Sequence, residues 1–250
     1  MGRVGSPYLF GNTHRKQRKE STLSITGGTM SRRLVLLGIA AILLAGVGAS
    51  ATTLSRTYRW ESLGRSWSVS LSFSSTQYDV FRSLPRALDF HQYGSYVADP
   101  RADEEMERVS HALRDLAASA SLNVWERLNL VVSFIQSLQY TKEQGEYPKY
   151  PVETLVEGAG DCEDFAILTA DLLQRFGFGV ILLAYTVEGH MAVGLRVLPL
   201  DTKDCQAYAW NGDIYYYLET TTPGWEIGHK PEIYASEPEI IEILPTFALR

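Results

Sequence analysis

The spacing of hydrophobic positions changes along this chain, and each change predicts an element. Trp67, Val69, Leu71 and Phe73 alternate with serines, the pattern of a half-buried strand. Residues 79–98 are tyrosine-rich without a period and read as irregular. Met106, Val109, Leu113 and Leu116 share one face of a helix that Asp103 can cap. Val124, Leu128, Val131, Ile135 and Leu138 form the stripe of a second helix. Asn123 precedes it and Glu126 follows three residues on, the spacing of a capping box. Residues 141–151 are polar, end in Tyr147-Pro148-Lys149-Tyr150-Pro151 and read as a loop. Phe165, Ile167, Leu168, Leu172 and Leu173 predict a largely buried helix over 162–176, with Asp161 as N-cap and Gly177 placed to end it.

Beyond Gly177 the strand pattern takes over. Residues 179–187 are an apolar strand, Glu188-Gly189 a tight connection, and residues 190–198 a second strand with Met191, Val193, Leu195 and Val197 on one face. Asn211-Gly212 is a hairpin-turn signal. It opens a strand over 213–219, with Ile214, Tyr216 and Leu218 on one face and Tyr215, Tyr217 and Glu219 on the other. Residues 199–212 read as an excursion beyond the main hairpin. Helices followed by antiparallel strands predict an α+β fold.

Residues 34–51 break this pattern: they are apolar on every face except at Ser50 and carry no charge. As a helix they would span about 27 Å, close to a bilayer core. Arg32 and Arg33 precede the run, which places the N-terminus inside and the rest outside. Ala49-Ser50-Ala51 also has the form of a signal-peptidase site, with Met30 as a sensible start for a short basic leader. A single-pass anchor and a cleaved signal peptide both follow from the sequence. Either puts residues 52–250 outside the cytoplasm, membrane-bound or secreted. The expected division is a basic disordered tail over 1–33, untranslated before Met30 if that residue is the start, and the anchor or leader over 34–51. A strand and helix part over 52–120, a core over 121–228 and an acidic extension over 229–250 follow.

Charge narrows the partners. The 250 residues carry a net −6, but residues 52–250 hold sixteen basic against twenty-eight acidic side chains. An acidic domain repels phosphate backbones, so nucleic acid is not an expected partner. Cys162 and Cys205 are too few for a disulfide scaffold, and no paired-cysteine spacing suggests zinc. A site from Cys162, Cys205, His190 and His229 would lack recognised ligand spacing. Neither metal nor cofactor is expected.

The chemistry lies in Gly160-Asp161-Cys162-Glu163-Asp164. A cysteine in the first turn of a helix meets free backbone N–H groups and the helix dipole, which favour a thiolate and can hold an oxyanion. Asp161, Glu163 and Asp164 oppose this by raising the thiol pKa, so a cationic partner is needed. His190 opens one strand and Glu219 closes another. If these strands are antiparallel neighbours, the two residues lie side by side, and Glu219 orients the imidazole of His190. The polar flank argues against a buried Cys162. Glu163 and Asp164 read as charges serving the helix dipole. Glu219 could instead cap the turn that follows it. A Cys162–Cys205 bond is an alternative in an oxidising compartment. Trp210, Tyr215, Tyr217 and Trp225 read as core, and Asp171 with Arg175 as a surface ion pair of little worth.

These residues resemble the transglutaminase-like superfamily, in particular its exported or membrane-anchored archaeal and bacterial members. The resemblance is carried by Phe134-Ile135-Gln136-Ser137-Leu138-Gln139-Tyr140, Tyr147-Pro148-Lys149-Tyr150-Pro151-Val152-Glu153-Thr154-Leu155, Gly160-Asp161-Cys162-Glu163-Asp164, Gly189-His190-Met191-Ala192-Val193-Gly194 and Tyr216-Tyr217-Leu218-Glu219-Thr220-Thr221. It covers roughly residues 120–228 and, more loosely, 56–120. It implies a papain-like core, a helical N-terminal part, and a nucleophile helix packed on an antiparallel sheet. It implies Cys162 as nucleophile, His190 as base and then acid, and Glu219 as orienter, where the superfamily more often has Asp. The implied activity is acyl transfer on peptide or glutamine-type amides, by a peptidase, amidase or transglutaminase acting on a protein or peptide. A non-catalytic module binding a partner at the cell envelope is the other reading, since the superfamily includes inactive members.

Overall fold

The computed structural model describes residues 52–97, 99–142, 145–197 and 205–243. The tail and the apolar run over 34–51 lie outside the described residues. Among the described residues no helix is long and apolar enough to cross a membrane.

The serine-alternating segment is strand β2 (Arg65–Ser74), paired antiparallel with β1 (Thr53–Ser62). Leu63 and Gly64 both take positive φ, the backbone of a two-residue hairpin turn. Tyr58 and Trp60 of β1 each sit with ring centroids 5.2 Å from Phe134, so the hairpin closes over the helices.

Residues 79–98 are more regular than their composition predicts. They continue α1 (Ser75–Ser83), capped by Ser74, and include a 3-10 turn (Phe90–Gln92) and the short helix α2 (Gly94–Val97). Each element is too short to display a period; Phe81, Tyr93, Tyr96 and Val97 are its buried contacts. Asp103 falls one residue inside α3 (Asp103–Ser119) and pairs with Arg175 instead of capping. In α4 (Val124–Gln136) the capping box forms in both directions: Asn123 N donates to Glu126 Oε2 at 2.8 Å, and Glu126 N to Asn123 Oδ1 at 3.0 Å. Val124 is 62% exposed, because the first turn precedes the buried stripe. The polar loop ends sooner than predicted. Pro151 starts α5 (Pro151–Glu157) at the position where its missing N–H costs no hydrogen bond.

Two short parallel strands, β3 (Gln139–Tyr140) and β4 (Ala159–Gly160), lead into α6 (Cys162–Arg175). A five-stranded antiparallel sheet follows, in order β7-β8-β6-β5-β9. Its strands are β5 (Gly179–Tyr185), β6 (His190–Arg196), β7 (Ala207–Trp210), β8 (Asp213–Leu218) and β9 (Glu239–Glu242). The excursion does place β7 outside β8, so β6 and β8 remain neighbours. One sheet face packs Val180, Leu182, Val193 and Leu195 with the helices, and the other holds Ile181, Leu183, Tyr185, Tyr208 and Tyr217. Burial on both faces explains why β5 is apolar almost throughout. The architecture is α+β, with the helix of Cys162 laid on an antiparallel sheet.

Asp171 and Arg175 are not a surface pair. Asp171 is 2% exposed, and Arg175 bonds it at 2.7 Å while reaching Asp103 at 3.0 Å and Glu107 at 3.3 Å. The pair ties α6 to α3.

Candidate active site

Gly160 makes the start of α6 possible. A Cβ there would lie 2.7 Å from Asp164 Cβ and 3.1 Å from the Phe165 ring. Asp164 is fully buried: its Oδ1 accepts Lys149 N at 2.7 Å, and its Oδ2 pairs with Lys149 Nζ at 3.1 Å and accepts Asp161 N at 3.3 Å. Burial pushes the Asp164 carboxyl up to about 7 against the pull of Lys149. This acid anchors the Tyr-Pro-Lys-Tyr-Pro segment to the helix start, a tertiary role beyond the local dipole service its position suggested.

Cys162 is the first residue of α6 and is only 8% exposed, with Asp161 equally covered. The acidic flank therefore did not signal exposure; the acids are drawn in with the cysteine because backbone N–H groups and Lys149 hold Asp164. The Cys162 thiol donates to Glu163 Oε2 at 3.3 Å, its Sγ lies 4.0 Å from Gly189 O, and Met191 N–H points to it. Burial and the neighbouring Glu163 push the thiol well above its ordinary range. Both effects oppose the thiolate.

Strand register sets the histidine beside its acid. Val193 pairs with Leu218, so the start of β6 lies beside the residues that follow β8. His190 Nε2 meets Glu219 Oε2 at 3.2 Å. The contacts with Glu219 and Tyr217 both fall on Nε2 and leave Nδ1 outside this network. Glu219 Oε2 also accepts the Tyr217 hydroxyl at 2.7 Å. Oε1 accepts Thr220 N at 3.0 Å, Thr221 N at 2.9 Å and Thr221 Oγ1 at 2.7 Å. Burial raises the Glu219 carboxyl, but the hydrogen bonds and charge of His190, with those of Thr221, outweigh it and hold the group at about 2. The longer acid is thus fixed on both oxygens, and Gln136 Nε2 fixes its backbone by donating to Glu219 O at 2.8 Å. The turn-capping role and the imidazole contact coexist, one on each oxygen.

Tyr217 belongs to this network as much as to the core, where its face placed it. Its position two residues before Glu219 on the same strand face was the available signal. Gln136, Lys149 and Thr221 gave none beyond their motifs. Tyr140 stands on the rim, 48% exposed and edge-on to Phe165 at 6.3 Å. Burial, and then the charges of Cys162, Asp161 and Glu163, raise its hydroxyl to about 12. Tyr215 is buried as expected, whereas Trp225 is 37% exposed.

No disulfide joins Cys162 and Cys205, and Cys205 Sγ contacts Ile227 O at 3.9 Å. Among the described residues no cluster of His, Cys, Asp or Glu is placed to hold a metal. A cavity of about 750 Å³ opens at the far end of α6, lined by Asp103, Glu107, Arg114, Asp171, Arg175 and Arg196 among others; Cys162, His190 and Glu219 are not in its wall.

Comparison with known proteins bears on the same region. Residues 105–198 match a family profile described as a transglutaminase-like domain. A solved structure of a provisionally named cysteine protease from Cytophaga hutchinsonii aligns with a TM-score of 0.36 and 11% identity, over 77% of this chain and 74% of that one. No curated protein matches the sequence.

Proposed function

We propose that this chain, whose residues 105–198 match a transglutaminase-like domain profile, is an acyl-transfer enzyme in which Cys162, His190 and Glu219 act together on peptide or glutamine-type amides. The observation that carries the proposal is the His190–Glu219 contact at adjacent strand ends, beside a cysteine opening a buried helix.

In this reading Cys162 rests as the thiol, since burial and Glu163 oppose the thiolate. The Cys162 proton passes to His190 Nδ1 as sulfur attacks the amide carbonyl. N–H groups at the start of α6 stabilise the oxyanion. Glu219, ionised throughout the physiological range, balances the imidazolium. The imidazolium then donates its proton to the departing nitrogen, the C–N bond breaks, and a thioester remains on Cys162. Water or an amine attacks the thioester, losing its proton to His190, and the thiol is restored. Water gives a peptidase or amidase, an amine a transglutaminase. The charge and hydrophobic pattern of residues 31–51 support placing this reaction outside the cytoplasm, at the membrane or in secretion.

The test is ammonia release and peptide mass change when the full chain meets glutamine-containing peptides, with and without a primary amine. The wild type is expected to release ammonia or cleave the peptide, and Cys162→Ala to do neither while keeping its circular dichroism. Equal turnover by Cys162→Ala would refute the mechanism. Absence of turnover, with a Cys162 whose alkylation ignores His190, would favour the non-catalytic module.

A further inference from the structure

The stretch after Gly228 has no part in the mechanism above, yet it crosses the site. Gly228 is tied to the β7–β8 side of the sheet, with its N–H on Tyr217 O at 2.7 Å and its carbonyl on Gln206 N at 2.8 Å. Residues 239–242 form β9 on the opposite edge, paired with β5. The segment between them must therefore run across the end of the sheet where β6 begins with His190. It is clipped there: Ser236 N and Oγ both donate to the Glu188 carboxylate, at 2.8 and 2.5 Å. Glu188 belongs to the turn that delivers His190. Lys230 Nζ donates to Tyr234 O at 2.6 Å and lies 5.5 Å from the Tyr185 ring centroid.

The strap lays Tyr234 flat on the imidazole. The Tyr234 and His190 rings are 3.9 Å apart at an interplanar angle of 4°. Tyr185 backs both, at 5.8 Å from Tyr234 and 6.2 Å from His190. Burial raises the Tyr234 hydroxyl, with smaller contributions from Glu219 and Cys162, so this residue stands within electrostatic reach of both side chains.

We infer that Tyr234 is a positioning residue for His190: its ring face fixes the imidazole plane and favours the imidazolium once His190 has taken the thiol proton. The inference rests on the proposed role of His190. Glu219 holds the ring edge at Nε2 and Tyr234 lies flat against one face. The ionisable groups around His190 are Glu219 and Tyr217 from the β8 side, Tyr185 from β5, Cys162 from α6, and Tyr234 and Lys230 from the strap. None of these except Tyr234 presents a parallel ring face to the imidazole among the described contacts.

The test is the rate of iodoacetamide labelling at Cys162 across pH, with the modified residue located by mass spectrometry. Wild type, Tyr234→Phe, Tyr234→Leu and His190→Ala are compared in the full chain. Tyr234→Phe keeps the ring face and is expected to label as the wild type does. Tyr234→Leu keeps apolar bulk without the face. It is expected to label about threefold more slowly at pH 7, from the size of a cation–ring contact. Its profile should shift to higher pH, with an unchanged rate at the alkaline plateau. Slowing by Phe equal to that by Leu, or a Leu profile matching the wild type, would overturn the inference while leaving His190 in its role. Labelling unaffected by His190→Ala would instead overturn the proposed mechanism. Should Tyr234→Leu fail to fold, Glu188→Ala, which frees Ser236 while retaining Tyr234, is expected to shift the profile in the same direction. No shift there would overturn the inference as well.

Discussion

Glu219→Gln removes one charge and almost no volume from the candidate site. Glu219 accepts five hydrogen bonds and is held at about 2. An ordinary glutamate titrates near 4.3, so the depression corresponds to about 3 kcal/mol in favour of the charged form. Because the folded value lies below the unfolded one, this stability is present above about pH 4.3 and is lost as pH falls toward 2. The amide oxygen can keep the Thr220 and Thr221 donors, but the amide NH2 then faces His190 Nε2 and the Tyr217 hydroxyl. His190 must turn Nε2 into an acceptor and carry its proton on Nδ1, the nitrogen that has to receive the thiol proton. Turnover should fall by a factor on the order of 10³ to 10⁴, the cost of a wrong tautomer in a triad. Urea unfolding of both proteins between pH 3 and 8 measures the stability part. The wild type should lead by about 3 kcal/mol at pH 7, and the lead should shrink steadily below about pH 4.5. A gap that does not change with pH, or turnover within threefold of the wild type, would refute the reasoning.

Three further substitutions probe the surrounding structure. Arg175→Ala leaves Asp171 buried without its partner and should cost about 3–5 kcal/mol in urea unfolding; a loss below 1 kcal/mol would restore the pair to the surface class. Glu163→Gln removes a carboxyl group 3.3 Å from the Cys162 sulfur, one that burial and then Asp161 raise to about 8, so it should speed alkylation at pH 9, where the carboxylate is charged, by about tenfold, the effect of one pKa unit; an unchanged rate there would show that Glu163 does not control the thiol. Gly160→Ala forces a Cβ against Asp164 and Phe165 and should destabilise the domain by about 1–3 kcal/mol, read from denaturation. An unchanged midpoint would mean that the helix start yields at little cost.

The longer elements were legible because each carries its own periodic stripe: α4 with its capping box, α6 with Phe165 through Leu173, and β6 with Met191, Val193 and Leu195. Strand β1 was not, since Tyr58 and Trp60 are its two buried apolar positions and define no period without the partner strand. The helices between residues 75 and 97 are each shorter than a readable pattern. Asp171 and Arg175 looked like a surface pair because four-residue spacing says nothing of what packs over it; α3 covers it. The juxtaposition of His190 with Glu219 could be anticipated from strand ends and held once β7 was found outside β8. The burial of Asp161 and Asp164, and the hold of Lys149 on Asp164, depended on distant backbone donors that no local spacing encodes. Tyr234 lies in a segment with neither period nor motif, and only its path across the end of the sheet brings it to His190.

Labelling of Cys162 by iodoacetamide as a function of pH, in the wild type and in His190→Ala, asks whether this histidine is the base for this thiol. Burial and Glu163 raise the thiol, so the sulfur should react at neutral pH only where His190 takes its proton. The wild type is expected to label at pH 7 at least tenfold faster than His190→Ala, whose labelling should appear only above the ordinary thiol range of about pH 8.5. Superimposable profiles for the two proteins would contradict a Cys162–His190 couple, and with it the acyl-transfer mechanism.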